Sequence, residues 1–422
     1  MKATSVLISG ASIAGPALAY WLNARGFQVT IVEQAPSPRE GGQAVDIRGT
    51  AREVVERMGI AGEVRAAHTG AEGMLLVDGA GRQRFRMGAD LLGDSGGFIA
   101  DIEILRGDLV RILHSATREK MEYIFDDSIT ALLQELDSVL VSFRRGVPRR
   151  FDLVVGADGV HSNVRQLAFG EESTFVRDLG ACVAVFRVPA VSNLDGWHRM
   201  YCVPGRNGAR GRTAALYPLP GRDQAIGMLF FPVPPGDYDR RSVEQQKNLV
   251  AQAFAGDGWE VPRLLEAMSD APDFFFDRTC QVHMDGWSRG RVVLIGDAAY
   301  CGSPLGGNGS SMAIVGGYVL AGELAASGPD HGVAFARYEA LMRNFVTQCQ
   351  KFALSGVDFH LPKSRVRLWA VSQMMRMLPY LPWRGAVVKG LQNTANAVAL
   401  QDYPVQPASS APVVEQGRLA AI

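Results

Sequence analysis

Three short runs of consecutive apolar residues stand out in the pattern of hydrophobic and polar positions. They lie within residues 5–9, 153–155 and 292–295, and each is followed directly by a glycine. Runs of this length are typical of strands buried on both faces of a parallel sheet. Because the three lie far apart along the chain, the pattern predicts one sheet assembled from discontinuous segments.

The amino-terminal run belongs to a predicted strand, helix and strand unit. A strand at residues 5–9, a tight turn, a helix from about residue 15 to residue 25 and a strand at residues 28–33 fit one βαβ unit. Residues 3–22 also carry no charge, which would suit a signal peptide or a membrane span. Gly10, Ser12, Gly15 and Pro16 interrupt that stretch. The strand-turn-helix interpretation is therefore favoured.

Residues 179–284 have a different pattern, with short strands separated by Pro and Gly turns. Strands are predicted at residues 183–188, 213–218, 225–231 and 280–283. Residues 72–100, with Asp78 and Gly79 as a turn signal, are predicted to add further strands. The pattern indicates a mostly antiparallel sheet inserted into the parallel one.

The carboxyl-terminal part becomes helical from Gly332, and residues 359–401 contain no Asp or Glu. The basic residues of this segment are Lys363, Arg365, Arg367, Arg376, Arg384 and Lys389. A basic amphipathic segment can bind a membrane surface. The alternative is a long helix that packs across both domains with its arginines in solvent. Pro379 and Pro382 would break an interfacial helix, which favours packing.

The composition excludes several classes of protein. Of the 422 residues, 47% are hydrophobic and 20% are charged, which is ordinary for a folded protein that does not span a membrane. Lys plus Arg and Asp plus Glu both number 43, so no overall charge would attract nucleic acid. The five cysteines are scattered without paired spacing. This predicts a reducing compartment, the cytoplasm, and no metal site.

A glycine turn follows the first strand, with Gly10 and Gly15 at dinucleotide-fold spacing and Ser12 in place of the middle glycine. Gly10 permits the turn, Gly15 lets helix and strand approach, and the helix amino terminus faces a pyrophosphate. Glu33 follows eighteen residues after Gly15, where an acid can bind ribose hydroxyls. The turn and the acid predict a dinucleotide site.

The third run ends on Gly296 and Asp297, where a carboxylate would reach the crevice at the carboxyl ends of the strands. The glycine-rich loop of residues 304–309 has bare amides that suit a flat, electron-rich ring. Arg106 heads a predicted helix with Leu109, Ile112 and Leu113 at core spacing. Asp158 and Gly159 are equally typical of a β-turn or of a ligand contact.

Together these motifs resemble the class A flavoprotein monooxygenases, the aromatic hydroxylase group with the para-hydroxybenzoate hydroxylase fold. The resemblance covers roughly residues 1–345 and rests on the ordered glycine turn, the Asp158-Gly159 segment and the Gly296-Asp297 segment with its loop. Within the group, residues 41–49 are most similar to the tetracycline-inactivating TetX-type enzymes and antibiotic-pathway hydroxylases. The sequence departs from the family at Ser311, where asparagine is usual, and at Val315 and Gly316, where an acidic pair is usual.

The resemblance implies an α/β fold: a Rossmann-like FAD-binding domain with a discontinuous parallel sheet, an inserted antiparallel substrate-binding sheet, and C-terminal helices. The expected divisions are 1–71, 101–178 and 285–335 for FAD, 72–100 and 179–284 for substrate, 336–400 for bridging helices, and 401–422 for a tail. By resemblance Glu33, Asp46, Arg106 and Asp297 would hold FAD, and Arg39 would meet NADPH or NADH. The other implied cofactor contacts are Gly10, Ser12, Ile13, Ala14, Gly15, Gln34, Asp158, Gly159, Gly296, Pro304, Gly307, Asn308 and Gly309.

The mechanism that the resemblance implies places the chemistry on the flavin. NAD(P)H would reduce FAD, reduced flavin would trap dioxygen as a carbon-4a hydroperoxide, and the distal oxygen would attack an electron-rich carbon of an aromatic or polyketide-like small molecule. No side chain is named as catalytic. The candidate substrate contacts on the inserted sheet are Arg187, Tyr201, Arg212, Tyr217, Phe230, Phe231 and His283.

Three other functions compete with this one. A flavin-dependent halogenase is disfavoured because residues 3–119 contain no lysine. An FAD-dependent reductase that inserts no oxygen stays open, as does a non-catalytic flavoprotein that sequesters a small molecule or works at a membrane through its basic tail. The expected assembly is a monomer or homodimer, with no stable membrane insertion.

Overall fold

The structure is a computed structural model of the chain, and it describes residues 3–39, 41–89, 100, 102–189, 194–219, 221, 223–233, 242–380 and 396–403. Predictions for Pro382, Arg384, Lys389 and the tail beyond residue 403 lie outside these residues. The described strands are β1 Ser5–Ser9, β2 Gln28–Glu33, β3 Ala44–Asp46, β4 Gly73–Val77, β5 Gln83–Gly88, β6 Glu103–Leu105, β7 Glu122–Phe125, β8 Ile129–Gln134, β9 Val139–Phe143, β10 Arg149–Phe151, β11 Leu153–Gly156, β12 Val176–Pro189, β13 Trp197–Val203, β14 Arg212–Pro218, β15 Gln224–Pro232, β16 Phe275–Val282, β17 Ser288–Arg289 and β18 Val292–Leu294.

Helices are placed on and between the sheets. The described α-helices are α1 Ala14–Asn23, α2 Thr50–Arg57, α3 Ala61–Ala66, α4 Arg106–Thr117, α5 Asn163–Phe169, α6 Glu172–Phe175, α7 Val243–Ala253, α8 Val261–Asp270, α9 Asp297–Tyr300, α10 Gly309–Ala326, α11 His331–His360 and α12 Arg365–Met377. Short 3-10 turns lie at Pro304–Gly306 and Leu378–Tyr380.

The three apolar runs meet in one sheet, as their pattern predicts. Its strand order is β17-β18-β11-β1-β2-β7, and the pairings β18-β11, β11-β1, β1-β2 and β2-β7 are all parallel. The core of this sheet is almost purely aliphatic, and Val6, Leu7 and Ile8 are wholly inaccessible to solvent. Strand β7 and the antiparallel edge strand β17 extend the sheet that the sequence predicted.

The inserted segment forms a seven-stranded sheet of order β16-β12-β15-β14-β13-β4-β5. Its pairings are antiparallel except β13-β4, which is parallel. The turn signal at Asp78 connects β4 to β5, with Asp78 N donating to Arg82 O at 3.0 Å. Because side chains alternate along a strand, one face packs against α7 and α8 and the other faces the parallel-sheet body. The α/β architecture is confirmed.

Helix α10 lies at the centre of the molecule, where it packs on α1 and α11. It is apolar on all sides, a pattern typical of a buried helix. Among the described residues it is the one helix long and apolar enough to cross a membrane, and 83% of its apolar window is buried inside the protein. This burial fits a core helix.

Up to residue 380, the described carboxyl-terminal region forms two α-helices rather than one. Helix α11 starts in the core beside the parallel sheet and ends against the inserted sheet, where Thr213 Oγ1 donates to His360 O at 2.6 Å. Helix α12 follows, and it gives way at Met377 to the 3-10 turn that contains Pro379. Arg365 and Arg376 are exposed, as the packing interpretation predicts.

Candidate functional site

A cavity of about 910 Å³ separates the two large sheets. One wall is formed by the carboxyl ends of β1, β2 and β11, where open parallel sheets bind ligands. The opposite wall is the inner face of the inserted sheet, and the end of α11 with one face of α12 forms a third side. The cavity therefore joins the segments that carry the sequence motifs.

The glycine turn lies against the parallel sheet at a distance that excludes side chains. A Cβ atom at Gly10 would lie 2.4 Å from Ala157 O, and one at Gly15 would lie 1.9 Å from Gly10 O. Gly10 has φ +110°, a value that L side chains rarely adopt. Gly15 therefore serves helix packing behind the cavity. The turn residues that line the cavity are Gly10, Ala11, Ser12, Ile13 and Ala14.

One guanidinium group faces this turn, and a second lies at the rim of the same cavity. Arg106, the first residue of α4, donates from Nη2 to Ser12 Oγ at 3.3 Å. Burial and the neighbouring charge of Arg39 lower the pKa of Arg106, whereas Asp297 and Glu33 act to raise it. Arg39 itself is exposed at the rim. Arg106 beside a helix amino terminus forms a site suited to a pyrophosphate.

Glu33 ends β2 and is held by the backbone. Its two carboxylate oxygens accept from Ala11 N at 2.8 Å and from Ala35 N at 2.9 Å. These bonds orient the side chain beside the turn, and the neighbouring Gln34 is exposed at the same wall of the cavity. The position is the one expected of an acid that binds ribose hydroxyls.

Asp158 lies at the cavity wall, but its carboxylate is directed at its own chain segment. It accepts hydrogen bonds from Ser162 Oγ and from Val164 N, the latter at 3.0 Å. Burial raises the pKa of Asp158, although these bonds counteract the shift. Gly159 has φ +84° and also lines the cavity. The segment therefore has the geometry of a turn, which was one of the two interpretations of its sequence. It also lies where it can contact a ligand, which was the other.

Asp297 is the first residue of α9 and presents its carboxylate to the cavity. Solvent in the cavity reaches it, although the residue lies deep within the protein and burial raises its pKa. Gly296 behind it has φ +62° and packs against Ala14. A carboxylate held here is suited to ribityl hydroxyls.

The glycine-rich loop forms the edge of the cavity between the two sheets. Pro304, Gly307 and Gly309 line it. Asn308 does not; it is buried, and its Nδ2 donates to Gly306 O at 2.7 Å. Its role is to shape the loop, and the bare backbone at Gly307 is left facing the cavity.

Asp46 lies against the glycine-rich loop and forms an ion pair with Arg48, which the sequence analysis did not name as a candidate. Arg48 Nη2 lies 2.5 Å from Asp46 Oδ2, and both side chains are buried. A Cβ atom at Gly307 would lie 2.9 Å from Asp46 Oδ2. Ser311, the departure from the family pattern, accepts from Arg48 N at 3.0 Å and donates to Asp46 O at 3.2 Å. The serine therefore fixes this ion pair beside the loop.

Two of the seven candidate substrate residues line the cavity: Tyr217 on β14 and Phe230 on β15. Phe230 stacks on His360 with ring centroids 4.3 Å apart. Met200 and Met228 share this wall. The wall is therefore apolar and aromatic, as the sequence analysis expected of a site for a flat molecule.

The other five candidates lie elsewhere, and strand alternation explains most of them. Tyr201, Arg212 and Phe231 point to the opposite face of the sheet, where Arg212 pairs with Asp257. Arg187 belongs to the face of β12 that points inward, but it lies near the end of the strand and pairs with Asp273. His283 lies beyond β16 and bonds to Gln281. None of these five residues lines the cavity.

Several polar cavity residues escaped the sequence analysis. Glu103, His198 and His360 line the cavity with Arg48. No local motif marks them, because Glu103 stands on a three-residue strand and no strand was predicted between residues 188 and 213, where His198 lies. The alternation of His198 and Met200 on β13 is the signal that could have found one of them.

The comparisons with known proteins decide the family. The family model described as "FAD binding domain" matches residues 3–353. The chain belongs to this family. It is similar to an "uncharacterized protein" of Mycobacterium tuberculosis, with 45% identity over 82% of this chain and 91% of that protein. It is also similar to a "flavin-dependent monooxygenase" of Legionella longbeachae, with 36% identity over 86% of this chain and 92% of the relative.

Among solved structures, the chain is similar to the tetracycline destructase Tet(55). The TM-score is 0.80 with 34% sequence identity, covering 95% of this chain and 99% of that chain. The protein is an FAD-dependent monooxygenase, and the resemblance to the class A group is confirmed. NAD(P)H and dioxygen are the cosubstrates of this class.

The cavity of the monooxygenase fits FAD on its own evidence. Arg106 supplies positive charge beside the glycine turn, where a pyrophosphate would lie. Asp297 offers a carboxylate to the cavity, and a Cβ atom at Gly307 would come against Asp46. Position 307 therefore has no room for a side chain, and its backbone lines the cavity.

Proposed function

We propose that this monooxygenase oxygenates a flat, largely apolar polycyclic aromatic or polyketide-like molecule in the cavity between the sheets. The observation that carries the proposal is the wall opposite the glycine-rich loop. It consists of Val183, Val185, Met200, Met228 and Phe230, all from the inner face of one sheet. Such a wall buries a flat molecule and presents its edge to the loop. The similarity to Tet(55), a tetracycline destructase, supports a multi-ring substrate.

The roles proposed for the chain's residues follow from their positions. Arg106 and the glycine turn bind the pyrophosphate, Glu33 the adenosine ribose and Asp297 the ribityl side. Bound FAD supplies the redox chemistry, taking reducing equivalents from NAD(P)H and passing them to dioxygen. The amides of the loop stabilise negative charge at the edge of the ring, and the apolar wall keeps water from it.

Arg39 is proposed as the contact for NAD(P)H. It is exposed at the rim of the cavity, near enough to Arg106 for their charges to interact. A cation at the rim attracts a phosphorylated cosubstrate that binds and leaves. The preference between NADPH and NADH is tested by comparing kcat/KM for both in Arg39→Ala and in the wild type.

Different segments of the chain are proposed to bind FAD and the substrate. Residues 1–71, 101–178 and 285–335 carry the FAD contacts, residues 72–100 and 179–284 the substrate wall, and residues 336–400 bridge the two. We further propose a cytoplasmic monomer or homodimer. The described cysteines, Cys182, Cys202, Cys280, Cys301 and Cys349, are all unpaired and buried, which supports a reducing compartment.

The test measures NADPH and NADH oxidation by the FAD-loaded protein against a panel of polycyclic phenols and tetracyclines. Substrate-stimulated consumption, with one atom from labelled dioxygen in the product, is the expected result. Stimulated consumption with no incorporated label would instead identify a reductase. If the protein binds a panel compound but never accelerates NAD(P)H oxidation, it sequesters small molecules and the proposal is wrong.

A further inference from the structure

The outward side of α12 carries a stripe of apolar side chains that no part of the proposed function uses. Val366, Trp369 and Met377 of the helix, and Tyr380 of the 3-10 turn that follows, are each 57–85% exposed. The helical period places these residues on one side. Trp369 is also the one exposed tryptophan among the described residues. Single exposed apolar residues are ordinary, but a stripe of them marks a binding surface.

The inward side of the same helix is already packed. Leu368 and Met375 pack against the inner face of the inserted sheet, and both line the cavity together with Val371. Pro379 comes after Met377, the last residue of the helix, so the helix itself is unbroken. The packing predicted for this segment is therefore made by one side of α12. It leaves the apolar stripe without a partner among the described residues.

Basic side chains flank the stripe. Arg365 and Arg376 are exposed near the two ends of the helix, and within the described part of the chain neither forms an ion pair. Lys363 and Arg367 share the carboxylate of Asp358. Residues 359–401 contain no Asp or Glu. The stripe and its two free arginines, here called the outer face of α12, therefore form a surface that is both apolar and cationic.

We propose that the outer face of α12 binds reversibly to the surface of a bilayer that contains anionic phospholipid, without crossing it. Trp and Tyr side chains favour the boundary between lipid headgroups and acyl chains, and neighbouring arginines are attracted by anionic headgroups. An amphipathic helix with both features lies in this boundary, parallel to the bilayer. A second copy of the chain fits less well, because a two-fold contact through this face would bring arginines together.

Lipid binding would bring the cavity close to the bilayer. Leu368 and Val371 line the cavity on one side of α12, and Trp369 points away from it on the other. One helix therefore separates the cavity from the bound lipid. A flat, largely apolar substrate is concentrated in a bilayer relative to water, so the enzyme would be held where its substrate accumulates. This consequence rests on the proposed function, whereas the lipid binding does not.

The experiment measures cosedimentation of the full-length, FAD-loaded protein with vesicles of phosphatidylcholine, with and without phosphatidylglycerol. We expect binding to the anionic vesicles to be about 30-fold tighter or more, and to weaken as salt is added. Arg365→Gln combined with Arg376→Gln should weaken it about 30-fold, since each arginine near an anionic bilayer contributes about fivefold. Trp369→Ala should weaken it about tenfold through lost apolar burial.

Matched control variants come from exposed sites elsewhere on the protein. Arg111→Gln combined with Arg118→Gln removes two exposed arginines at α4 and just after it. Leu136→Ala removes an exposed apolar side chain between β8 and β9. Neither control should change the binding to vesicles. The flavin spectrum of each variant reports whether it folds and retains FAD.

Lipids brominated on their acyl chains test the orientation, because they quench tryptophan fluorescence only on contact. Trp369→Phe should keep the binding and lower the quenching. The inference is wrong if anionic vesicles bind no better than neutral ones, if the α12 variants bind as tightly as wild type, or if Trp369→Phe keeps the full quenching. A dimer that ignores vesicles and becomes a monomer in Trp369→Ala would instead make this face a contact between copies. Vesicle binding without substrate-stimulated NAD(P)H oxidation would leave the lipid surface standing and overturn only the proposed function.

Discussion

The hydroxyl of Tyr300 occupies the space beside Gly316, where a Cβ atom would lie 2.2 Å from that oxygen. Tyr300 is buried, and its hydroxyl accepts a hydrogen bond from Tyr338 at 3.0 Å. Val315 and Gly316 stand where the family pattern usually has an acidic pair. The missing side chain at Gly316 leaves room for this hydroxyl.

Gly316→Ala should destabilise the protein. The added methyl group has no free volume, so Tyr300 must move and its hydrogen bond with Tyr338 is broken within the core. Overpacking of this kind costs about 1–3 kcal/mol. Urea unfolding of the FAD-loaded protein, followed by circular dichroism, measures the loss. An unchanged midpoint would show that the helix moves away at no cost.

Two further variants separate this clash from a general effect of alanine. Gly62→Ala lies in helix α3, where nothing surrounds the added methyl group, and it should be neutral or stabilise by up to about 1 kcal/mol. Tyr300→Phe removes the obstructing oxygen. The double variant with Gly316→Ala should therefore be less destabilised than the sum of the two single variants.

The parallel sheet and its ligand edge could be predicted from the sequence because each depends on local patterns. The apolar runs at residues 5–9, 153–155 and 292–295 became adjacent strands. Glu33 at the end of β2 and Asp297 after the third run both line one cavity. Helix α4 begins at Arg106, as predicted. In these places the residue type and its distance from a strand end determine the position.

The substrate wall was less predictable because it depends on which face of each strand points inward. Phe230 and Phe231 are adjacent and chemically alike, yet only Phe230 lines the cavity. Which of two adjacent residues points inward depends on the register of the strand with its neighbours, and a single sequence does not give that register. Glu103 and His198 approach each other across separate sheets, so no spacing along the chain marks them.

Phe230→Leu and Phe231→Leu form a matched pair that tests this assignment. Phe230→Leu should raise the KM for substrate about 10-fold, since the ring is part of the apolar wall. Phe231→Leu should leave KM unchanged and lower only the stability, because its ring packs against Phe254 on the far face of the sheet. Steady-state kinetics with the substrate found in the panel measure both. Equal KM values in the two variants would place the substrate elsewhere.

Arg106→Ala should weaken FAD binding about 10- to 100-fold, the loss expected for a charged hydrogen bond to phosphate. Titration of apoprotein with FAD, followed by flavin fluorescence, gives the dissociation constant. The dependence on salt concentration should also become shallower, since one cation has been removed. Arg187→Ala removes an arginine that pairs with Asp273 outside the cavity, and it should change neither quantity.

His161 gives the stability a dependence on pH with a defined sign. The hydrogen bond to Asp277 raises the pKa of His161 most, Glu172 adds to the effect, and burial opposes it. A group whose pKa is raised by folding stabilises the protein below its unfolded pKa, about 6.5 for histidine, and loses this effect as the pH rises through the folded value. His161→Gln should therefore lower Tm at pH 5.5 and have no effect at pH 9. The imidazole is 37% exposed, so solvent limits the difference to about 0.5 kcal/mol.

Asp277→Asn should remove most of the same pH-dependent part of the stability, and adding this substitution to His161→Gln should remove nothing more. A difference in Tm between His161→Gln and the wild type that is the same at both pH values would show that the ion pair contributes nothing to stability.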